Sequence, residues 1–300
     1  MSEDALIRSH EDPIYFREAV DFTSAVTGFP SRLIEKDYFC TVLLQYLSAM
    51  DAELVFKGGT CLAKVHADFY RLSEDLDFAI PIPVDASRSQ RSRRARGLRG
   101  AVDQIGNQLP SFRVEQPLTG ANNSTQYILV LGYTSLLGST EETIKIEVGL
   151  REPLLTEVVQ AEVKTLLLNP VSELPLVSLL TVECLSWEEA MAEKLRAALS
   201  RREVAVRDFY DIHHAIQSQG LSVLKPAFVE LVRAKLTVPG NKPVDVSDGR
   251  LESLRLQVDT ELKPVLRARD FADFDLDRAF EKVVEVALAL EQFKGHPRRA

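Results

Sequence analysis

Asp75 and Asp77 stand one residue apart, fourteen residues after the segment Lys57-Gly58-Gly59-Thr60. On a strand, residues two apart project from one face, so both carboxylates can reach one divalent cation or a closely spaced pair. Hard oxygen donors beside phosphate favour magnesium or manganese. Such an ion polarises an α-phosphate, lowers the pKa of an attacking hydroxyl and takes up charge on departing pyrophosphate. The glycines supply the phosphate end, because backbone without a Cβ approaches a ligand closely. Unpaired N–H groups at a helix start, with the Thr60 hydroxyl as a further donor, suit the terminal phosphates of a nucleoside triphosphate. Gly-Gly alone marks a turn and Asp-x-Asp alone a solvated strand end; the ordered pair points to metal-assisted nucleotidyl transfer.

Several elements must position these groups. Leu54-Val55-Phe56 reads as a short buried strand running into the glycines, followed by a helix from about Thr60 to Phe69 and a second strand carrying the aspartates. Gln126 to Tyr133 is rich in β-branched and aromatic residues, and Thr143 to Val148 alternates apolar with polar, so two more strands are expected. Lys145 and Glu147 share one face of the latter. Trp187 to Ser200 has helical periodicity, with Ser186 as N-cap and Glu189 completing a capping box. Lys194 falls beside that helix's apolar face, where it must snorkel outward or meet an anion. Asp208 and Asp211 lie one helical turn apart. They can orient Lys194, join a metal site, accept a hydroxyl proton, or simply tie one helix to another. His213 and His214 are adjacent, diverge by about 100° on a helix and do not make a shared metal site.

Lys57-Gly58-Gly59-Thr60 with Arg71-Leu72-Ser73-Glu74-Asp75-Leu76-Asp77-Phe78 resembles the AbiEii/AbiGii family of nucleotidyltransferase toxins, which includes the MenT toxins. Ala192-Glu193-Lys194-Leu195-Arg196-Ala197-Ala198-Leu199 and Arg207-Asp208-Phe209-Tyr210-Asp211 resemble the family's downstream motifs, and the likeness runs from about Leu33 to Ala215. The resemblance implies an α/β (α+β) polymerase-β-like core with a mixed sheet, to which the helical pattern after Gly220 adds a C-terminal helical lobe. It also implies a toxin that takes a nucleotide from an NTP with Mg2+ or Mn2+ and is paired with a separately encoded antitoxin. In MenT-like members the acceptor is RNA, the 3′ end of tRNA, and its modification stops translation; AbiEii-like members are linked to phage defence. Residue by residue, it implies nucleotide contacts from Lys57, Gly58, Gly59, Thr60, Ser73 and Lys194. Catalytic roles fall to Asp75, Asp77, Lys194, Asp208 and Asp211, and metal ligation to Asp75 and Asp77. Glu147 is the candidate for a third carboxylate on a neighbouring strand, against the alternative of an ordinary exposed glutamate.

The net charge of −8 is unevenly spread. Arg88, Arg91, Arg93, Arg94, Arg96 and Arg99 lie within twelve residues, on an expected helix from about Ala86 to Gln108, and form a candidate patch for RNA phosphates. A solvated basic segment is the competing reading. The basic tail His296-Pro297-Arg298-Arg299 is expected to fray. At 300 residues and 45% hydrophobic content the chain supplies a sizeable core. No apolar run is long enough to span a bilayer and no signal peptide is evident, so a cytoplasmic protein without a membrane partner is expected. Cys40, Cys61 and Cys184 are scattered, without a Cys-x-x-Cys, and read as reduced core residues rather than a zinc site. Later helices are expected at Leu221 to Leu236, Arg250 to Arg267 and Leu276 to Phe293. The expected division is an α/β lobe over residues 1–175 and a helical lobe over 176–300, with the nucleotide between them. Transfer to a protein hydroxyl or a small molecule, and a non-catalytic nucleotide- or antitoxin-binding module, remain as alternatives. The module has little need of two carboxylates aimed at phosphate.

Overall fold

In the computed structural model, which describes residues 7–50 and 53–292, the chain forms two compact units that meet in sequence between Leu185 and Ser186. The expected boundary at 175/176 falls short of this. The last strand of the first unit lies beyond it and is hydrogen-bonded into the sheet.

In the first unit a 3-10 turn, Ser9–Glu11, leads into α1 (Pro13–Thr27), whose start is set by the Asp12 side chain accepting from the Tyr15 amide and by Pro13 at the first helical position. Gly28 ends it in the left-handed conformation (φ +78°). In α2 (Ser31–Ser48) all but a few residues are buried, including Glu35, Lys36 and Asp37. Each of these charges has a partner, as burial demands. Glu35 accepts from the Ser135 hydroxyl at 2.6 Å and the Leu136 amide at 2.7 Å, and Asp37 receives Lys64 at 2.6 Å.

Seven strands form one mixed sheet. They are β1 (Val55–Lys57), β2 (Leu76–Ala79), β3 (Arg113–Ala121), β4 (Gln126–Thr134), β5 (Glu141–Gly149), β6 (Val159–Val163) and β7 (Leu180–Cys184), in the order β3-β4-β5-β2-β1-β7-β6. The pairs β1/β2, β3/β4, β4/β5 and β6/β7 are antiparallel; β2/β5 and β1/β7 are parallel. Alternation decides which face is core. Phe56 on β1, Leu76 and Phe78 on β2, and Ile144, Ile146 and Val148 on β5 are buried with α1 and α2 side chains, while Asp77, Lys145 and Glu147 point the other way and are only half buried.

Between β1 and β2, α3 (Gly58–Cys61) runs directly into one π-helical turn, Leu62–His66. The expected helix from Thr60 to Phe69 therefore begins earlier and ends earlier, and Asp68 and Phe69 take positive φ as the chain turns back. The expected continuous helix over 86–108 is broken at Ala95 into α4 (Arg88–Arg94) and α5 (Arg96–Gln108), α4 opening with a Ser87/Gln90 capping box.

Among the described residues of the second unit the regular elements are all helical. They include α6 (Trp187–Ser200), α7 (Val206–Gln219), α8 (Pro226–Leu236), α9 (Asp248–Arg255), α10 (Ala268–Ala272) and α11 (Leu276–Gln292). α6 has the predicted bounds and Ser186 caps the Glu189 amide. The Glu189 carboxylate goes to Lys235 at 2.6 Å, a wholly buried ion pair. The expected helix from Leu221 starts later, at Pro226. The one expected from Arg250 begins at Asp248 and passes after Arg255 into π and 3-10 turns. The tail His296-Pro297-Arg298-Arg299 and Phe293 lie outside the described residues. No helix among the described residues is long and apolar enough to cross a membrane.

Candidate active site

The antiparallel register of β1 and β2 puts Lys57 opposite Asp77, and the parallel register of β2 and β5 puts Asp77 beside Glu147. Directly opposed residues share a face, so Lys57, Asp77 and Glu147 form a row across three neighbouring strands. Asp75 lies just before β2, on the same side. Its carboxylate is 3.6 Å from the Lys145 ammonium, which is also 3.6 Å from Glu147. Three carboxylates and two lysines, Lys57 and Lys145, thus share an open sheet face.

The glycine turn is built against these acids. Gly58 has φ +78°, and a Cβ there would lie 2.2 Å from Asp77 Oδ2. Only glycine fits both that backbone and that approach. A Cβ on Gly59 would lie 2.7 Å from Arg71 Nη2 and 3.0 Å from Ser73 Oγ. Ser73 therefore sits against the turn. Arg71, missed as a site residue, brings a buried guanidinium under the same turn. Thr60 is a correction: its hydroxyl is buried and donates to the Asp75 carbonyl, so it holds the start of β2 rather than reaching for phosphate.

A charge network steadies the other side of Asp75. Glu74 receives Lys36 at 3.0 Å and Arg32 at 3.1 Å, and Arg32 also reaches Glu142 of β5 at 2.7 Å. Burial pushes the Glu74 carboxyl up, but the hydrogen bond and charge of Lys36, joined by Arg32, outweigh it and hold the carboxyl below its ordinary value. Arg32 and Lys36 carry no sequence signal of this role, since α2 reads as an ordinary helix.

The second unit holds a separate cluster. Lys194 of α6 is 2.9 Å from Asp208 Oδ1 and 2.8 Å from Asp211 Oδ2, both on α7 and both buried. The anion that Lys194 meets is thus an internal carboxylate pair, and the contacts both orient Lys194 and tie α6 to α7. Asp208 Oδ2 is buried without a hydrogen bond among the described residues; Arg201 is 3.7 Å away. His213 packs edge-on against Phe274 while His214 stacks with Tyr210, so the two diverge as expected, and burial lowers both pKa values.

The arginine run divides. Arg91 is buried and donates to the Leu150 carbonyl at 3.1 Å and the Val84 carbonyl at 3.1 Å. Arg99 donates to the Ser92 carbonyl at 2.9 Å and to the Tyr127 hydroxyl at 3.0 Å, over whose ring it also lies. These two serve the fold and do not belong to an RNA face. Arg94 is exposed but bound to the Pro81 carbonyl and to Glu53. Arg88, Arg93 and Arg96 are exposed, and the candidate patch contracts to them.

The cysteines are buried thiols, and among the described residues none is in a disulfide. They are not all scattered, however. The ligand atoms of Cys61, His66 and Cys184 lie within 4.8 Å of one another. The Cys184 thiol is held below its ordinary pKa by a hydrogen bond from Cys61 first, against burial, with His66 adding to the effect.

Residues 42–286 match the family described as "Nucleotidyl transferase AbiEii toxin, Type IV TA system". No curated protein matches the chain. Among solved structures, JHP933 from Helicobacter pylori is similar at 16% identity and a TM-score of 0.47, with 93% of this chain and 94% of that chain covered. A second Helicobacter pylori chain, described as a candidate nucleotidyltransferase, is similar at 16% identity and the same TM-score, with 93% and 97% covered.

Proposed function

Because the chain belongs to the AbiEii nucleotidyl transferase toxin family of type IV toxin–antitoxin systems, we propose that it transfers a nucleotide from a nucleoside triphosphate to RNA. The 3′ end of tRNA is the proposed acceptor, its modification blocks translation, and a separately encoded antitoxin holds the enzyme in check. The observation that carries this reading is the lateral pairing of Asp77 with Glu147, Asp75 alongside, on an open face beside a turn that seats Asp77 against Gly58.

The carboxylate set suits a hard divalent cation: its donors are oxygens only, and the Lys145 ammonium 3.6 Å from both Asp75 and Glu147 marks where positive charge is already drawn. Asp75, Asp77 and Glu147 would hold Mg2+ or Mn2+, which when bound polarises the α-phosphate and takes up charge on pyrophosphate. The chain's own groups do the rest. Gly58 and Gly59 let backbone approach the phosphates, with the Ser73 hydroxyl and Lys57 beside them. A carboxylate of the row accepts the proton of the attacking hydroxyl. Thr60, through the Asp75 carbonyl, and Lys36 and Arg32, through Glu74, fix the segment that carries Asp75.

Exposed Arg88, Arg93 and Arg96 favour an RNA acceptor, because such side chains hold phosphates without reading sequence. The test is incubation with each α-labelled triphosphate, Mg2+ and total RNA, followed by a denaturing gel. Label in a tRNA-sized band is expected; label on protein alone would replace RNA with a protein hydroxyl, and no label in RNA or protein would contradict both.

A further inference from the structure

Outside the carboxylate row, Cys61, His66 and Cys184 bring two thiol sulfurs and an imidazole to one place from three elements: α3, the π turn and β7. We propose that they form a site for a soft divalent cation, zinc, that ties the helix after the glycine turn to the last strand of the first unit.

Three features carry the assignment. The first is donor chemistry, since thiolate and imidazole select zinc-like cations and disfavour the magnesium that suits Asp75 and Asp77. The second is geometry. Donors around a tetrahedral zinc lie about 3.5–3.8 Å apart, and these three already lie within 4.8 Å. Closure therefore needs side-chain movements of about 1 Å, well within rotamer adjustment. The π turn is what makes this reachable. Residues five apart on an α-helix diverge by about 140°, whereas the wider turn with i→i+5 bonding swings His66 back towards Cys61. The parallel pairing of β7 with β1, which sets Cys184 beside Phe56, delivers the second sulfur.

The third feature is the surroundings of the imidazole. His66 Nε2 lies 3.0 Å from the Leu185 carbonyl, which can only accept, so Nε2 carries a proton and Nδ1 is the nitrogen left to face a cation in the neutral ring. Donation of the distal ring N–H to a backbone carbonyl is the arrangement that orients metal-bound histidines. With two sulfurs and one nitrogen, the fourth tetrahedral position falls to water or an exogenous ligand. Cation binding would displace the thiol protons to solvent.

The test uses the full chain, freed of metal, and no activity readout, so its failure is distinct from failure of the nucleotidyl transfer reading. Co2+ is titrated and the thiolate-to-metal charge-transfer absorption recorded, then Zn2+ is added to displace it. One equivalent of Co2+ with a thiolate band is expected. Loss of an outer-shell partner alone weakens metal binding about 10–100-fold, so Cys61→Ser and Cys184→Ser should each weaken it by at least about 100-fold. Asp75→Asn/Asp77→Asn should leave the band unchanged. No thiolate band in the folded wild type, or a band that persists in the double serine variant, would overturn the proposal. If the serine variants fail to fold, alkylation of the wild type decides: Zn2+ should slow modification of Cys61 and Cys184, and equal rates with and without Zn2+ would overturn it.

Discussion

Replacing Gly58 by alanine perturbs the site at its tightest contact. The new Cβ would stand 2.2 Å from Asp77 Oδ2 and 2.8 Å from Asp77 Cβ and Cγ, whereas unstrained carbon contacts lie at about 3.5 Å or more. Asp77 must therefore retreat by roughly 1 Å. A displacement of that size at a reacting centre is worth about 100-fold in rate. Alanine at φ +78° carries a backbone cost as well, about 1–2 kcal/mol. Gly28 separates the two effects, because it has the same φ of +78° but nothing within 4 Å of a Cβ. Gly28→Ala should lose about 1–2 kcal/mol of stability and keep its transfer rate. Gly58→Ala should lose at least as much stability and about 100-fold in rate. Urea denaturation and initial rates of label transfer, on the two purified variants, give both quantities. Equal transfer by the two variants would refute the coupling of the glycine turn to Asp77.

Lys194→Met should cost about 3–5 kcal/mol in a denaturant titration, because the buried carboxylates of Asp208 and Asp211 would lose the Lys194 ammonium that both contact; a loss below about 1 kcal/mol would place their stabilisation elsewhere. Replacing Arg88, Arg93 and Arg96 with alanine should reduce the log–log salt slope of RNA binding by up to about 3, and an unchanged slope would remove RNA from that face. Arg91→Ala, in contrast, should lower the unfolding midpoint by stranding the Leu150 and Val84 carbonyls. Glu74, held below its ordinary pKa, contributes stability that is full above its unfolded value near pH 4.3 and is lost as pH falls through the folded value. Glu74→Gln should remove that part of the acid-side slope, and an unaltered pH profile would contradict it.

The part of the site encoded in contiguous residues was legible. Strand, glycine turn and Asp-x-Asp all lie between Val55 and Asp77, and alternation alone placed Asp77 and Glu147 on outward faces. That those two would stand on neighbouring strands came from the family resemblance and not from local pattern, because the parallel pairing of β2 and β5 joins strands separated by about seventy residues and leaves no local trace. The arginine run shows the same limit. Spacing places six guanidinium groups near one another, but only the fold reveals that Arg91 and Arg99 are needed by the Leu150 and Ser92 carbonyls and the Tyr127 hydroxyl. The π turn and the β1/β7 pairing, neither visible as periodicity, turned two apparently unrelated cysteines into neighbours. Buried pairs such as Lys64–Asp37 and Lys235–Glu189 were equally hidden, since a charge on a helix reads as surface until its partner is found.

The central claim is that the carboxylate row on β2 and β5 performs the transfer. Its most direct measurement is the single-turnover rate of nucleotide transfer from an α-labelled triphosphate by wild type, Asp77→Asn and Glu147→Gln, each shown to be folded by its denaturation midpoint. The account predicts transfer by the wild type and a loss of at least about 100-fold in both variants. Wild-type rates in a folded Asp77→Asn protein would contradict it.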